Sequence, residues 1–365
     1  MFREDFVWGV ASSAYQVEGT DAADGRGACV WDMFAADGRV FEHQNADTSC
    51  DHMHHYKEDI ALMKHLGIRA YRFSLNWARI LPEGTGRVNE KAIAMYRDMI
   101  LTMKENGITP YLTLFHWEFP QALYERGGWQ NPDVVQWFGE YAKVVAENFS
   151  DICEYFITIN EPQCVVGLGH LSGVHAPGVK LPVAQTFLVA HHLLMAHGQA
   201  VINLRKYAVR PVRIGFAPTG GVAYPYTDRP EDIEAAKKVY FGFYNPIDNW
   251  TWNVSWFSDP VFLGHYPEEG LKKFAPYLPK ITQEDMKLIY QPLDFMGQNI
   301  YNGYYVRAGA DGEPEFVDRA PGFPKTGSDW PVTPEAFYYG IKFLTERYPL
   351  PLYITENGMS CHDMV

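Results

Sequence analysis

At 365 residues the chain can bury one large core, and a hydrophobic content of 47% excludes a disordered polymer. Its 31 basic against 44 acidic residues, a formal charge of −13, argue against nucleic acid or an anionic membrane as partner. Five scattered cysteines without a C-x-x-C argue against a disulfide framework or a zinc site and for reduced thiols in the cytoplasm. No apolar stretch is long enough to span a bilayer, and Met1 to Gly9 carries acids and no long apolar core, so no signal peptide is expected.

From residue 6 onward, short apolar runs alternate with amphipathic segments. The first run, Phe6 to Ala14, ends at Tyr15-Gln16. His52 to Leu66 has helical spacing, and a second apolar run covers Ile68 to Trp77, with Arg72 inside it. Ala92, Ile93, Tyr96, Met99, Ile100 and Met103 fall on one helical face that Asn106-Gly107 ends. Pro110 to Phe115 reads as a third strand ending at His116-Trp117, and an amphipathic segment follows from about Pro132 to Phe149. Tyr155 to Ile159 is a fourth strand, closed by Asn160-Glu161-Pro162. A Gly-rich loop over 167–178 precedes a long helical stretch, Val183 to Tyr207, and a fifth strand, Val212 to Ala217. A long loop insertion is expected over about 219–279. Leu293 to Ile300 is a sixth strand, ending near Asn299 and Tyr301. Thr333-Pro334 starts a helix, and Leu352 to Thr355 is a seventh strand stopped by Glu356-Asn357-Gly358.

Strand and helix alternation without a Gly-rich dinucleotide fingerprint implies a parallel sheet flanked by helices. In an open sheet the polar residues would gather at one switch point. Here Gln16, Arg72, His116, Asn160, Glu161, Asn299, Tyr301 and Glu356 are spread over the ends of several runs, which favours a (β/α)8 TIM barrel in the α/β class. The expectation is one catalytic domain over residues 1–365. Seven strands are visible, so the eighth strand and the C-terminal part are expected to be missing, leaving this stretch alone inactive or poorly folded.

Glu161 and Glu356 both stand where a buried strand runs out. Cleaving a glycosidic bond commonly uses two carboxyl groups, one to protonate the leaving oxygen and one to attack or to activate water. The 15% aromatic content suits flat sugar faces as well as a core. His52-Met-His54-His55 reads as a solvated helix face, without the H-E-x-x-H pattern of a metal site.

Thr158-Ile-Asn160-Glu161-Pro162 resembles the acid/base motif of glycoside hydrolase family 1, and Ile354-Thr-Glu356-Asn-Gly358 resembles its nucleophile motif. Phe6-Val-Trp-Gly9, Ala14-Tyr-Gln16-Val-Glu-Gly19, Tyr71-Arg-Phe-Ser74, Phe115-His-Trp117 and Gly173-Val-His-Ala-Pro-Gly178 are similar to further family signatures, in the family's order. The resemblance implies a retaining β-glycosidase, most simply a β-glucosidase acting on short β-linked oligosaccharides or aryl glycosides, with no cofactor and no metal. It implies Glu161 as acid/base, Glu356 as nucleophile, and Arg72 and Tyr301 beside Glu356. It places Gln16, His116, Asn160 and Asn299 around the sugar and Trp330 against the leaving group. A non-catalytic carbohydrate-binding protein and a 6-phospho-β-glycosidase are the alternatives, and a homo-oligomer is left open.

Overall fold

The computed structural model describes residues 3–20 and 24–361. Seven parallel strands form the main sheet in the order β1 (Gly9–Ala11), β2 (Ala70–Ser74), β3 (Thr109–Phe115), β4 (Tyr155–Asn160), β5 (Arg213–Ala217), β7 (Phe295–Asn299) and β10 (Leu352–Glu356). Each pairs in parallel with the next, and β1 approaches β10 without pairing to it, so the sheet is nearly closed into a barrel. A parallel sheet is covered on both faces, and the strands show it: β2 and β7 are buried at every residue, and β4 at every residue after Tyr155. A second small sheet joins β6 (Val222–Pro225) in parallel to β8 (Gly303–Ala308), which pairs antiparallel with β9 (Pro314–Val317).

The helices follow from their apolar stripes. Glu90–Glu105 buries all six residues of its expected face, from Ala92 to Met103. Val134–Phe149 and Val183–Tyr207 pack against each other, and Trp77 stacks on Tyr141 at 5.0 Å between ring centres. Phe187, on Val183–Tyr207, stacks on Trp250 at 3.8 Å. Pro334–Arg347 is tied to Val254–Phe262 through Asp259, fully buried, which accepts from Arg347 (3.0 and 2.5 Å) and from the Tyr348 hydroxyl (2.7 Å).

Four expectations change. The first strand is confined to Gly9–Ala11, and Ala14–Val17, carrying Tyr15 and Gln16, is a helical turn. Residues 219–279, expected as a long loop, hold β6 and the helices Pro230–Phe241, Val254–Phe262 and Glu268–Phe274. The Gly-rich stretch begins as a π-helical turn, Val165–Leu171. His52 is buried and bonded to Asp59 at 2.6 Å, while His54 and His55 are exposed, because the helix turns His52 toward Tyr71. No helix among the described residues is long and apolar enough to cross a membrane.

Candidate active site

The polar cluster lies at the C-terminal ends of the barrel strands, where a fold of this type displays its functional groups. β4 and β10 both slip register as they reach that end, between Ile157 and Asn160 and between Ile354 and Glu356. Such irregularities re-aim side chains at strand ends. Glu161 donates its backbone N–H to Ala217 on β5 at 2.8 Å and then takes a left-handed conformation, φ 43° and ψ 68°. That conformation costs a non-glycine residue about 1–3 kcal/mol and is characteristic of functional positions. Pro162 follows and opens the short helix Pro162–Cys164, so the chain leaves the sheet directly after the carboxylate. Glu356 is the last residue of β10, and its carbonyl accepts the N–H of Ile300 at 3.1 Å.

Arg72, buried on β2, joins these ends. Its Nε donates to the Thr113 hydroxyl at 3.0 Å, one terminal nitrogen to Glu356 Oε1 at 2.6 Å, and the other to Asn160 Oδ1 at 2.7 Å. Asn299 Nδ2 donates to Asn160 Oδ1 at 3.0 Å and to Glu161 Oε1 at 2.9 Å. Arg72, Asn160 and Asn299 thus form a hydrogen-bonded bridge between the two carboxyls. Tyr301 donates its hydroxyl to Glu356 Oε2 at 2.6 Å. His116 Nε2 lies 3.1 Å from Asn160 Nδ2.

The two carboxyls sit in different fields. Burial pushes Glu161 up to about 7, and the charge on Glu356 adds to it, against hydrogen bonds from Asn299 and Cys164 and the charge of Arg72. Burial also raises Glu356, but the Arg72 charge and the hydrogen bonds from Tyr301 and Arg72 outweigh it and hold that carboxyl below the usual range. Burial lowers His116 to about 4, so it is neutral at pH 7 and Arg72 is the cation that faces Glu356 there. Burial and the neighbouring carboxylate raise Tyr301, which stays a donor. Two acids whose environments push their proton affinities apart are equipped for opposite roles.

Arg72, His116, Asn160, Glu161, Asn299, Tyr301 and Glu356 are therefore brought into one network. Asn299, expected at the sugar, is engaged by protein at both ends of its amide, since its Oδ1 accepts the Thr355 hydroxyl at 2.6 Å. Gln16 lies exposed on its helical turn, outside that network, although the turn is anchored by Tyr15 N–H on Glu118 Oε1 at 2.8 Å and Ala14 N–H on Ser74 Oγ at 2.8 Å. Trp330 is 48% exposed and sets its ring edge-on to Tyr301, with centres 5.4 Å apart. Sequence reasoning missed Thr113, Thr355 and Cys164. Thr113 and Thr355 are polar residues inside apolar strands, and that was a usable signal. Cys164 Sγ donates to Glu161 Oε2 at 3.3 Å, and only its spacing of three from Glu161 hinted at contact.

A sequence model of glycosyl hydrolase family 1 matches residues 1–365. Beta-glucosidase A of Thermotoga maritima is 41% identical over 368 aligned residues, which span 100% of this chain and 80% of that protein. Beta-glucosidase A of Acetivibrio thermocellus is 38% identical, over 100% of this chain and 80% of its own length. The solved structure of the Thermotoga maritima beta-glucosidase in complex with glucoimidazole superimposes with a TM-score of 0.88, covering 100% of this chain and 80% of that one.

Proposed function

The chain belongs to glycosyl hydrolase family 1 and is a retaining O-glycoside hydrolase of the β-glucosidase type, and on that premise we propose how its residues carry the reaction. Glu356, held ionised by Arg72 and Tyr301, attacks the anomeric carbon of the glucosyl unit. Glu161, held protonated, gives its proton to the departing glycosidic oxygen. The glucosyl ester on Glu356 carries no carboxylate charge. The field that raised Glu161 is thereby relieved, Glu161 ionises more readily, and it takes a proton from the water that cleaves the ester. Two inversions at one carbon give net retention.

His116 and Asn160 are suited to hold the sugar. Because His116 Nε2 faces an amide N–H, the neutral ring carries its proton on Nδ1, which is buried without a hydrogen-bond partner among the described residues. Asn160 Nδ2 uses one hydrogen on His116 and keeps the other for a sugar hydroxyl, the 2-hydroxyl in this proposal. Asn299 positions Glu161 and Asn160, Gln16 reaches the remote hydroxyls, and exposed Trp330 flanks the leaving group, whether aryl or a second sugar. A reducing, cytoplasmic setting is our reading for a chain whose five cysteines are all free, three of them buried.

The observation that carries this division of roles is the unequal pairing of the two carboxyls, with Arg72 and Tyr301 donating to Glu356 and the neutral donors Asn299 and Cys164 to buried Glu161. It is tested with Glu356→Ala and an aryl β-glucoside. Turnover should fall by orders of magnitude, and azide or formate should restore product release by standing in for the missing carboxylate. A variant that keeps its activity, or that no small anion rescues while Glu161 is intact, would remove Glu356 as nucleophile.

A further inference from the structure

The side chains around Glu161 treat its two oxygens differently. A guanidinium has donors and no acceptor. Arg72 therefore fixes Oδ1 as the Asn160 atom that faces it, at 2.7 Å. The Asn299 atom 3.0 Å from that same Oδ1 must then be the amide nitrogen, and the Thr355 hydroxyl closes on the other end of the amide at 2.6 Å. The Asn299 nitrogen also reaches Glu161 Oε1 at 2.9 Å, which commits Oε1 to accepting. The better acceptor of a carboxylic acid is its carbonyl oxygen, so the proton of Glu161 rests on Oε2. Among the described residues the hydrogen-bond partner of Oε2 is Cys164, with Sγ at 3.3 Å. The thiol is buried and held in place by the turn itself, since the Cys164 N–H donates to the Glu161 carbonyl at 3.0 Å.

We propose that Cys164 is a positioning residue for the acid/base, its thiol facing the proton-bearing oxygen of Glu161 and donating to that oxygen when it is ionised. This rests on the assignment of Glu161 above. In the acid state Oε2 carries the proton and turns it toward the leaving oxygen, and the hydrogen bond from the Cys164 S–H to Oε2 is released. A thiol is a weak donor, so the release costs little. In the base state the S–H returns to Oε2 and stabilises the carboxylate. A hydroxyl at the same position would hold the carboxylate more firmly and make a poorer acid, and an apolar side chain would leave the ionised form without this donor. Burial and the charge on Glu161 raise the thiol well above its ordinary range, so it remains a donor across the working pH. The other groups facing Glu161 are Glu356 from β10, Arg72 from β2 and Tyr301 after β7, while His116 at the end of β3 is neutral at pH 7. None of these is altered by a change at Cys164.

The test is the pH dependence of kcat/KM for an aryl β-glucoside with a poor leaving group, in full-length protein with Cys164→Val, Cys164→Ala or Cys164→Ser. The alkaline limb reports loss of the proton from Glu161. Valine and alanine should move that limb up by about half a pH unit, a threefold change in proton affinity, and serine should move it down. The acidic limb, set by Glu356, should stay. A packing role alone would lower kcat without shifting one limb, and would not split serine from alanine. If one apolar variant fails to fold, the other and the serine variant give the same comparison. An alkaline limb fixed in every folded variant, or displaced in the same direction by serine and alanine, overturns the inference. Glu161→Gln, read on a substrate with an activated leaving group, separates the two levels. A limb that survives Glu161→Gln defeats the acid/base assignment, whereas one that vanishes there but ignores Cys164 defeats only the role of the thiol.

Discussion

Replacing Glu356 by glutamine should let Glu161 ionise at lower pH. Burial and the charge on Glu356 together raise Glu161 to about 7, and the substitution removes only the second. Carboxyls in a retaining pair stand about 5–5.5 Å apart. At that distance and an effective dielectric constant of about 20, two unit charges interact by about 3 kcal/mol. Since 1.36 kcal/mol is one pH unit, the Glu161 titration should fall by about two pH units. Arg72, released from its 2.6 Å bond to Glu356, pulls in the same direction. Turnover should be lost in this variant, so the readout is 13C NMR of protein labelled at the glutamate carboxyl carbon, with Glu161→Gln added to assign the signal. Glu161 still titrating near 7 in Glu356→Gln would mean that burial alone sets its proton affinity. The change from acid to base on ester formation would then have no electrostatic cause.

Three further perturbations follow from the same geometry. Arg72→Met removes the cation that holds Glu356 down. A carboxyl released from a depressed value takes up its proton at higher pH, so the acidic limb of kcat/KM should move up and activity on that side of the profile should fall, about tenfold for each pH unit the limb moves; a pH profile on an aryl β-glucoside reads both. Tyr301→Phe deletes the 2.6 Å hydrogen bond to Glu356 but keeps the ring beside Trp330. Steady-state kinetics should show kcat down about 10- to 100-fold, as for a charge-assisted bond of about 1.5–3 kcal/mol, with the melting temperature unchanged. Asp259→Ala strips a fully buried carboxylate from Arg347 and Tyr348, far along the chain from both Glu161 and Glu356. Denaturant unfolding should register a loss of about 3 kcal/mol, the low end for a broken buried pair, because the Arg347 side chain is 31% accessible and water can reach it.

Local pattern carried the parts of the molecule that burial dictates. The six-residue stripe from Ala92 to Met103 is buried as its spacing requires, and the apolar runs lie on the seven strands of the barrel sheet. Glu161 and Glu356 were visible as carboxylates where such runs stop. Contacts between strands distant in sequence were not visible. The path from Arg72 through Asn160 and Asn299 to Glu161 depends on neighbouring strands meeting in one register, which no single window encodes. Residues 219–279 misled for a different reason. Their Gly and Pro content reads as loop, yet Pro230 opens a helix at its first turn, where its missing N–H costs nothing, and Val254–Phe262 accommodates Pro260 in a fully buried helix. His52-Met-His54-His55, on a helix without an H-E-x-x-H pattern, reads as a solvated face, whereas the pairing of His52 with Asp59 satisfies that ring inside.

Covalent trapping tests the central assignment most directly. A 2-deoxy-2-fluoro-β-glucosyl fluoride retains a good leaving group, while its C2 fluorine disfavours the oxocarbenium-like transition states and leaves the glycosyl-enzyme long-lived. Intact mass after incubation should rise by one fluoroglucosyl unit per chain, and peptide mass spectrometry should place it on Glu356. An adduct on Glu161 or on any other side chain, or inactivation without an adduct, would contradict the account.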